Sequence, residues 1–269
     1  MNRRPGPFAV LLIAACAIVL GSRAAASEVI AVPYGDSAMP PTETFYWQGQ
    51  NSKAVLLLIP GGEGHLNLSP TQTDVRPEFY QTLKRLSAGA ETDGTFDVVL
   101  FSNPAPLLYN PHAYPSSRAS NDHLSRIASV IRFYKEKTGK PVWLMGHSNG
   151  AVSVTEYLRY EARLGQPRQI AGLIVSGARD VGYFDATPLN LPILFLHHRK
   201  DGCRDSPLAS SIGNFQKVEA LNRARTSFVI VETGSGESGS PCESGYHMYH
   251  DAGPEVAAAL RMFMVQFSR

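Results

Sequence analysis

The chain has 269 residues, 43% of them hydrophobic and 18% charged, with a formal net charge of +2. This is the composition of a globular protein long enough to bury the core of one large α/β domain, and it excludes a low-complexity or fibrous chain. The near-neutral charge offers no basic field from which to expect nucleic acid or an anionic surface as partner.

The first 26 residues differ from the rest. Arg3 and Arg4 open the chain, residues 8–20 are apolar and uncharged, and Ala24-Ala25-Ala26 supplies small residues. This pattern predicts a secretory signal peptide over 1–26, cleaved between Ala26 and Ser27, with the mature domain at 27–269. A membrane anchor would need about 20 apolar residues, and this run is shorter. Ile13-Ala14-Ala15-Cys16 reads alternatively as a lipoprotein cleavage box with a lipid on Cys16. Loss of Arg3, Arg4 and Arg23 would leave 22 basic against 23 acidic residues. Cys203 and Cys242 would then be the remaining cysteines, a pair that reads as one disulfide in an oxidising compartment.

From 27 to about 50 the pattern predicts short outer strands at 27–33 and 44–48. The uninterrupted Val55-Leu56-Leu57-Leu58-Ile59 predicts a central strand over 53–60, covered on both faces. It runs into Gly61-Gly62-Glu63-Gly64. A helix follows over 75–88 and a strand over 95–101. Residues 102–120 carry Pro104, Pro106, Pro111 and Pro115, too many for a helix or an inner strand. They predict a surface excursion, in which Tyr109 and Tyr114 pack within the loop or, alternatively, line a pocket rim. Ser120 is suited to cap a helix over 121–138, which Gly139 ends.

Strand 141–146 leads into Gly146-His147-Ser148-Asn149-Gly150, followed at once by a helical pattern over 149–164. A Gly-x-Ser-x-Gly between strand and helix is the nucleophile elbow, where a strained turn lifts the serine clear of the sheet. Strands at 169–176 and 191–197, a helix at 208–222, a strand at 226–231, a Gly- and Ser-rich loop at 233–245 and a helix at 254–267 complete the chain. Strands alternating with helices predict one α/β domain with a mostly parallel sheet and helices on both faces. Nothing in the pattern predicts a repeat, a second domain or an insertion large enough for a lid.

A serine hydroxyl needs a histidine to take its proton, and the histidine needs a carboxylate to fix its tautomer. Asp201 lies just past a late strand and is the candidate acid. Asp180, Asp205 and Asp185 are the alternatives. His247 and His250 both lie in the loop before the last helix, where the base belongs. The oxyanion donors are expected at the Asn149 N–H and at the N–H of Gly62 or Glu63, with the Glu63 side chain turned away. A Cys203–Cys242 bridge would tie the acid loop to the histidine loop. His197-His198-x-x-Asp201 and His247-x-x-His250 have no recognised zinc spacing, so neither a metal nor any other cofactor is expected.

Together, Ile59-Pro60-Gly61-Gly62-Glu63-Gly64, Arg118-Ala119-Ser120-Asn121-Asp122-His123, the elbow, His197-His198-Arg199-Lys200-Asp201-Gly202-Cys203, and Cys242 with His247 resemble the α/β-hydrolase superfamily. Within it, they resemble a group of small secreted bacterial α/β-hydrolase-like proteins. The resemblance spans 54–267 and implies a single α/β-hydrolase domain. In that group the late histidine follows the second cysteine by a few residues and precedes a Gly–aromatic pair and a final helix. Setting Glu255-Val256 at the start of that helix puts His247 at the histidine position. Met248-Tyr249 departs from the Gly–aromatic pair, and the group is more varied where this elbow has His147 and Asn149.

The implied activity is that of a secreted, carboxylesterase-like serine hydrolase acting on a small-molecule acyl substrate. The catalytic residues would be Ser148, Asp201 and His247, with Asn149, Gly62 and Glu63 at the oxyanion. No nucleic acid and no stable membrane insertion of the mature chain are expected. A peptidase or amidase would differ only in the leaving group. A non-catalytic envelope protein binding a ligand or partner in the same pocket is the alternative of another class.

Overall fold

The structure, a computed structural model, describes residues 27–36, 38–75, 77–88, 96–107, 116–165, 167–179, 190–236 and 239–268. The leader with Cys16, the excursion tyrosines Tyr109 and Tyr114, and the alternative acids Asp180 and Asp185 lie outside the described residues.

Among the described residues eight strands form one sheet. They are β1 (Ser27–Val32), β2 (Thr42–Trp47), β3 (Val55–Ile59), β4 (Asp97–Ser102), β5 (Val142–His147), β6 (Gly172–Ser176), β7 (Ile193–His198) and β8 (Thr226–Val231). Their spatial order is β1-β2-β4-β3-β5-β6-β7-β8. The strands from β4 to β8 run parallel, whereas β1 and β2 join antiparallel at one edge. The helices are α1 (Glu78–Ala88), α2 (Asn121–Thr138), α3 (Asn149–Arg163), α4 (Leu208–Asn222) and α5 (Gly253–Phe267).

The apolar runs of the inner strands serve two layers because successive side chains point to opposite faces. Val55, Leu57 and Ile59 of β3, Val142 and Leu144 of β5, and Ile193 and Phe195 of β7 pack with Ile127 and Ile131 of α2, Val154 and Leu158 of α3, and Val218 of α4. The alternate residues Leu56, Leu58, Trp143, Met145, Leu194 and Leu196 pack with Phe79 and Leu83 of α1 and Val256, Leu260 and Phe263 of α5. A one-residue slip of any inner strand would exchange the two sets and shift the loop that follows it.

Some boundaries differ from the sequence expectation. Helix α1 begins at Glu78, and the Pro77 carbonyl accepts from the N–H groups of Tyr80 and Gln81. Pro77 has no N–H of its own, so it opens the first turn better than it continues one. Strand β6 begins at Gly172, where pairing with Trp143 starts. The predicted excursion contains a short 3-10 turn at Ser116–Ala119 directly before α2. The Ser120 hydroxyl caps α2 by accepting the His123 N–H, and Gly139 closes it at φ 69°.

The strand order sets the site. From β3 the chain crosses to β4 on one side, whereas from β5 it crosses to β6 on the other. The loops leaving the carboxyl ends of the neighbouring strands β3 and β5 therefore diverge. In open α/β sheets the crevice at such a reversal is where ligands bind. The Gly61–Gly64 turn and Ser148 meet there. No lid domain covers it among the described residues.

Candidate active site

Ser148 follows β5 directly and opens α3 with φ 53° and ψ −122°. This backbone region is unfavourable for an L-residue and persists only where surrounding structure enforces it. The enforcement is steric. A Cβ on Gly150 would stand 2.0 Å from the Ile59 carbonyl oxygen, and one on Gly61 would stand 2.8 Å from Ser148 Cβ. The Ser148 N–H donates to the Ser176 carbonyl at 2.9 Å, which ties the turn to β6.

Asp201 lies past the end of β7, and His247 lies in the loop before α5. His247 Nδ1 donates to Asp201 Oδ2 at 2.7 Å, and both side chains are buried. The second oxygen, Oδ1, accepts the Cys203 N–H at 2.8 Å. His197 Nε2 stands 3.1 Å from Oδ2, close enough for a polar contact but not aligned as a hydrogen bond. Burial works to raise the Asp201 pKa, but the contacts from His197, His247 and Cys203 outweigh it and hold the carboxyl below its ordinary range. His247 Nε2 is buried and has no hydrogen-bond partner among the described residues.

The histidine loop is anchored in two ways. Cys203 and Cys242 form a disulfide with a Cα–Cα distance of 4.5 Å, so the acid loop and the histidine loop are covalently joined. Tyr249, buried and at φ 54°, sends its hydroxyl to the Leu196 carbonyl at 3.0 Å and to Ser176 Oγ at 2.9 Å. The Met248-Tyr249 departure therefore supplies a hydroxyl that pins the loop to the ends of β6 and β7. His250 follows a different path. It is exposed and bonds Glu78 at 2.8 Å and Ser235 at 2.7 Å. Glu78, His250 and Asp251 gather their ligating atoms within 4.8 Å at the surface, but both imidazole nitrogens are already taken up by these contacts.

At the other side of Ser148, the N–H of Asn149 belongs to the first turn of α3, where the helix offers it no acceptor. Gly62 has φ 52°, and no acceptor for the N–H of Gly62 or Glu63 is found among the described residues. Glu63 is exposed. The Asn149 side chain donates to the Gly62 carbonyl at 3.1 Å and accepts from Arg179 at 3.0 Å. Asp205, weighed as an alternative acid, is half-exposed and pairs with Arg179 at 3.6 Å.

Sequence reasoning named His197 and His147 without assigning either a contact at this site. His147 is buried against Phe79 and packs tilted against His247 with ring centroids 4.9 Å apart. Burial above all, then the neighbouring His247, drives its pKa well below the imidazole value, with Asp201 opposing. A neutral ring beside His247 adds no like charge when His247 takes a proton. His197 bonds Ser211 at 2.8 Å through Nδ1 while its other nitrogen meets Asp201. Its neighbour His198 turns instead to the Thr233 carbonyl. The four-residue spacing from His197 to Asp201 was the available signal, but it belongs to a strand end and the loop beyond, where spacing alone does not establish contact.

No protein-family model matches the chain, and no curated protein matches it in sequence. Its fold does have solved counterparts. One is an α/β serine hydrolase without a lid from Xanthomonas campestris, at 15% identity and TM-score 0.55, covering 90% of this chain and 94% of that one. Another is an esterase from Pyrococcus furiosus, at 10% identity and TM-score 0.57, covering 91% and 94%. A dienelactone hydrolase from Anabaena variabilis, at 13% identity and TM-score 0.53, covers 91% and 99%. The chain has the α/β-hydrolase fold.

Proposed function

We propose that this protein is an exported serine hydrolase that cleaves an ester or related acyl bond of a small molecule. The observation that carries the reading is the 2.7 Å bond from His247 Nδ1 to a buried Asp201, in a chain whose Ser148 is held at φ 53° between β5 and α3. Donation from Nδ1 leaves the Nε2 lone pair to act as base. Ser148 Oγ attacks the acyl carbon as His247 Nε2 takes its proton. The developing oxyanion is met by the N–H of Asn149 and those of Gly62 and Glu63. Collapse breaks the acyl–oxygen bond, and protonated His247 returns the proton to the leaving alcohol. Water then repeats the attack on the acyl-enzyme, releasing the acid and restoring Ser148.

Export is part of the proposal. The 1–26 segment has the form of a cleaved leader, and the Cys203–Cys242 disulfide is compatible with an oxidising compartment. Among the described residues no helix is long and apolar enough to cross a membrane.

The test is hydrolysis of p-nitrophenyl acetate and butyrate, with fluorophosphonate labelling mapped by peptide mass. Turnover with label on Ser148 supports the hydrolase. Neither turnover nor label would move the assignment to a non-catalytic protein that uses the same crevice for binding.

The base is tested separately. His247→Ala is expected to cost about as much as loss of the nucleophile, since triad members act as a unit. His250→Ala is expected to leave kcat unchanged and stability within about 0.5 kcal/mol, because its contacts are exposed ion pairs and surface hydrogen bonds. The reverse outcome would move the base to His250.

The disulfide has its own expected effect. It joins residues 39 apart, and opening it costs about 4 kcal/mol in the chain-entropy model. Because Cys203 also donates to Asp201, opening should misplace the acid and cut kcat/KM by about ten- to a hundredfold while the fold persists. An unchanged rate after reduction verified by thiol titration would remove this role.

A further inference from the structure

The Arg118–His123 segment, singled out by the resemblance, remains to be explained. Arg118 is 2% exposed, and no carboxylate lies within ion-pair distance of it among the described residues. A buried, unpaired charge is costly unless polar groups surround it closely. Its Nη1 donates to the Pro60 carbonyl at 2.9 Å and to Ser153 Oγ at 3.1 Å. Its Nη2 donates to the carbonyls of Gly61 at 3.1 Å and Gly62 at 2.8 Å. Behind it, His123 Nε2 meets Ser153 Oγ at 2.9 Å and Nδ1 meets Asn103 Oδ1 at 3.2 Å. Burial, together with the Arg118 and Arg126 charges, pulls His123 down to about 3, so this second buried side chain stays neutral.

The geometry of a peptide gives these contacts a consequence. The Gly61 carbonyl and the Gly62 N–H belong to one planar trans unit, and the Gly62 carbonyl and the Glu63 N–H belong to the next. Within each unit the two groups point in opposite directions. A cation drawing both carbonyls to itself therefore turns both N–H groups away from itself. These are the two N–H groups of the turn that lack an acceptor among the described residues. Asn149 pulls on the Gly62 carbonyl as well. A positive charge on the oxygen side also polarises each unit and strengthens its N–H as a donor.

We infer that Arg118 is a positioning residue for the oxyanion: its buried guanidinium fixes and polarises the Gly61–Glu63 peptides so that two backbone N–H groups stand ready for the charge of the transition state. The inference rests on the serine hydrolase reading. It predicts that the donors are pre-set by a cation that never touches the substrate, in place of loop closure around it.

The experiment compares wild type, Ser148→Ala, Arg118→Met and Arg118→Lys. Each is assayed for p-nitrophenyl butyrate hydrolysis and for inhibition by an alkyl trifluoromethyl ketone. That ketone adds to a serine as a tetrahedral oxyanion. Circular dichroism checks folding. Arg118→Met should lower kcat about a hundredfold with KM within about threefold, the scale of losing oxyanion donors. The ketone Ki should rise by the same factor as kcat/KM falls. Arg118→Lys keeps the charge but not the fork, and should fall between the two with the same parallel.

A folded Arg118→Met with wild-type kcat would overturn the inference. So would a fall in kcat with Ki unchanged, which is what a merely structural role would give. If Arg118→Met does not fold, the parallel in Arg118→Lys decides. Failure of the underlying reading looks different: wild type itself would then be inactive and insensitive to the ketone.

Discussion

Ser148→Ala is expected to lower kcat by roughly five to six orders of magnitude while leaving the fold intact. In the proposed mechanism its hydroxyl is the atom that forms the acyl-enzyme. Without it His247 has no nucleophile to activate, and only the oxyanion donors and substrate binding remain. The backbone makes a second expectation available at the same position. Ser148 sits at φ 53° and ψ −122°, and alanine inherits that strain because it too carries a Cβ. Glycine does not. Ser148→Gly should therefore be as inactive as Ser148→Ala yet more stable, by about 1 kcal/mol, the low end of what such backbone strain costs. Thermal unfolding of the two variants beside wild type reads the difference. A Ser148→Ala protein that still turns over p-nitrophenyl esters would remove Ser148 as nucleophile. A Ser148→Gly protein no more stable than Ser148→Ala would show that the turn is not strained in solution.

What could be read from the sequence divides along physical lines. Strands β3, β5 and β7 were legible because burial on both faces demands uninterrupted apolar runs, and the elbow was legible because its glycines answer short-range contacts within one turn. Asp201 could be named as a candidate from its place just past such a strand, and its bond to His247 had to be observed. The two-layer packing and the strand order had to be observed, since alternation within an all-apolar run carries no mark of which face goes where. The contacts of His197 and His147 were hidden for a related reason: a histidine inside an apolar strand gives no sign of which loop packs over it. Arg118 lay in a recognisable motif, but its partners are backbone carbonyls, which leave no trace in residue identity. The weight of Tyr249 was hidden in the same way, since its partners are the Leu196 carbonyl and a serine on another strand.

Asp201→Asn should cost about four orders of magnitude in kcat, close to the loss of a triad member, though it changes one atom. The argument lies in what the carboxylate accepts. Oδ1 takes the Cys203 N–H at 2.8 Å and Oδ2 takes the His247 Nδ1–H at 2.7 Å, while His197 Nε2 stands 3.1 Å from Oδ2 without the alignment of a hydrogen bond. A carboxylate accepts on both sides, but an amide accepts on one and donates on the other. If the amide oxygen keeps the Cys203 N–H, its NH2 faces His247. Nδ1 must then accept, the ring proton moves to Nε2, and the base is lost. If the amide turns over, its NH2 meets the Cys203 N–H, donor against donor, in a buried site where an unsatisfied group costs about 1–3 kcal/mol. Neither arrangement preserves both the tautomer and the loop.

The same substitution should alter the response to acid. Asp201 titrates below its ordinary value of 3.8 in the folded protein. Its carboxylate therefore adds stability above that value, and this stability is lost as pH falls toward the folded pKa. Asp201→Asn removes that component, so its unfolding curve should be flatter in acid than that of wild type. Measurement of kcat, fluorophosphonate labelling rate and acid unfolding on one preparation tests all three expectations. Labelling should slow together with kcat, because both need Ser148 deprotonated by His247. If Asp201→Asn remained active while Asp205→Asn were dead, the acid would be Asp205, and the bonded pair of Asp201 and His247 would be a support for the loop and not the engine of the reaction.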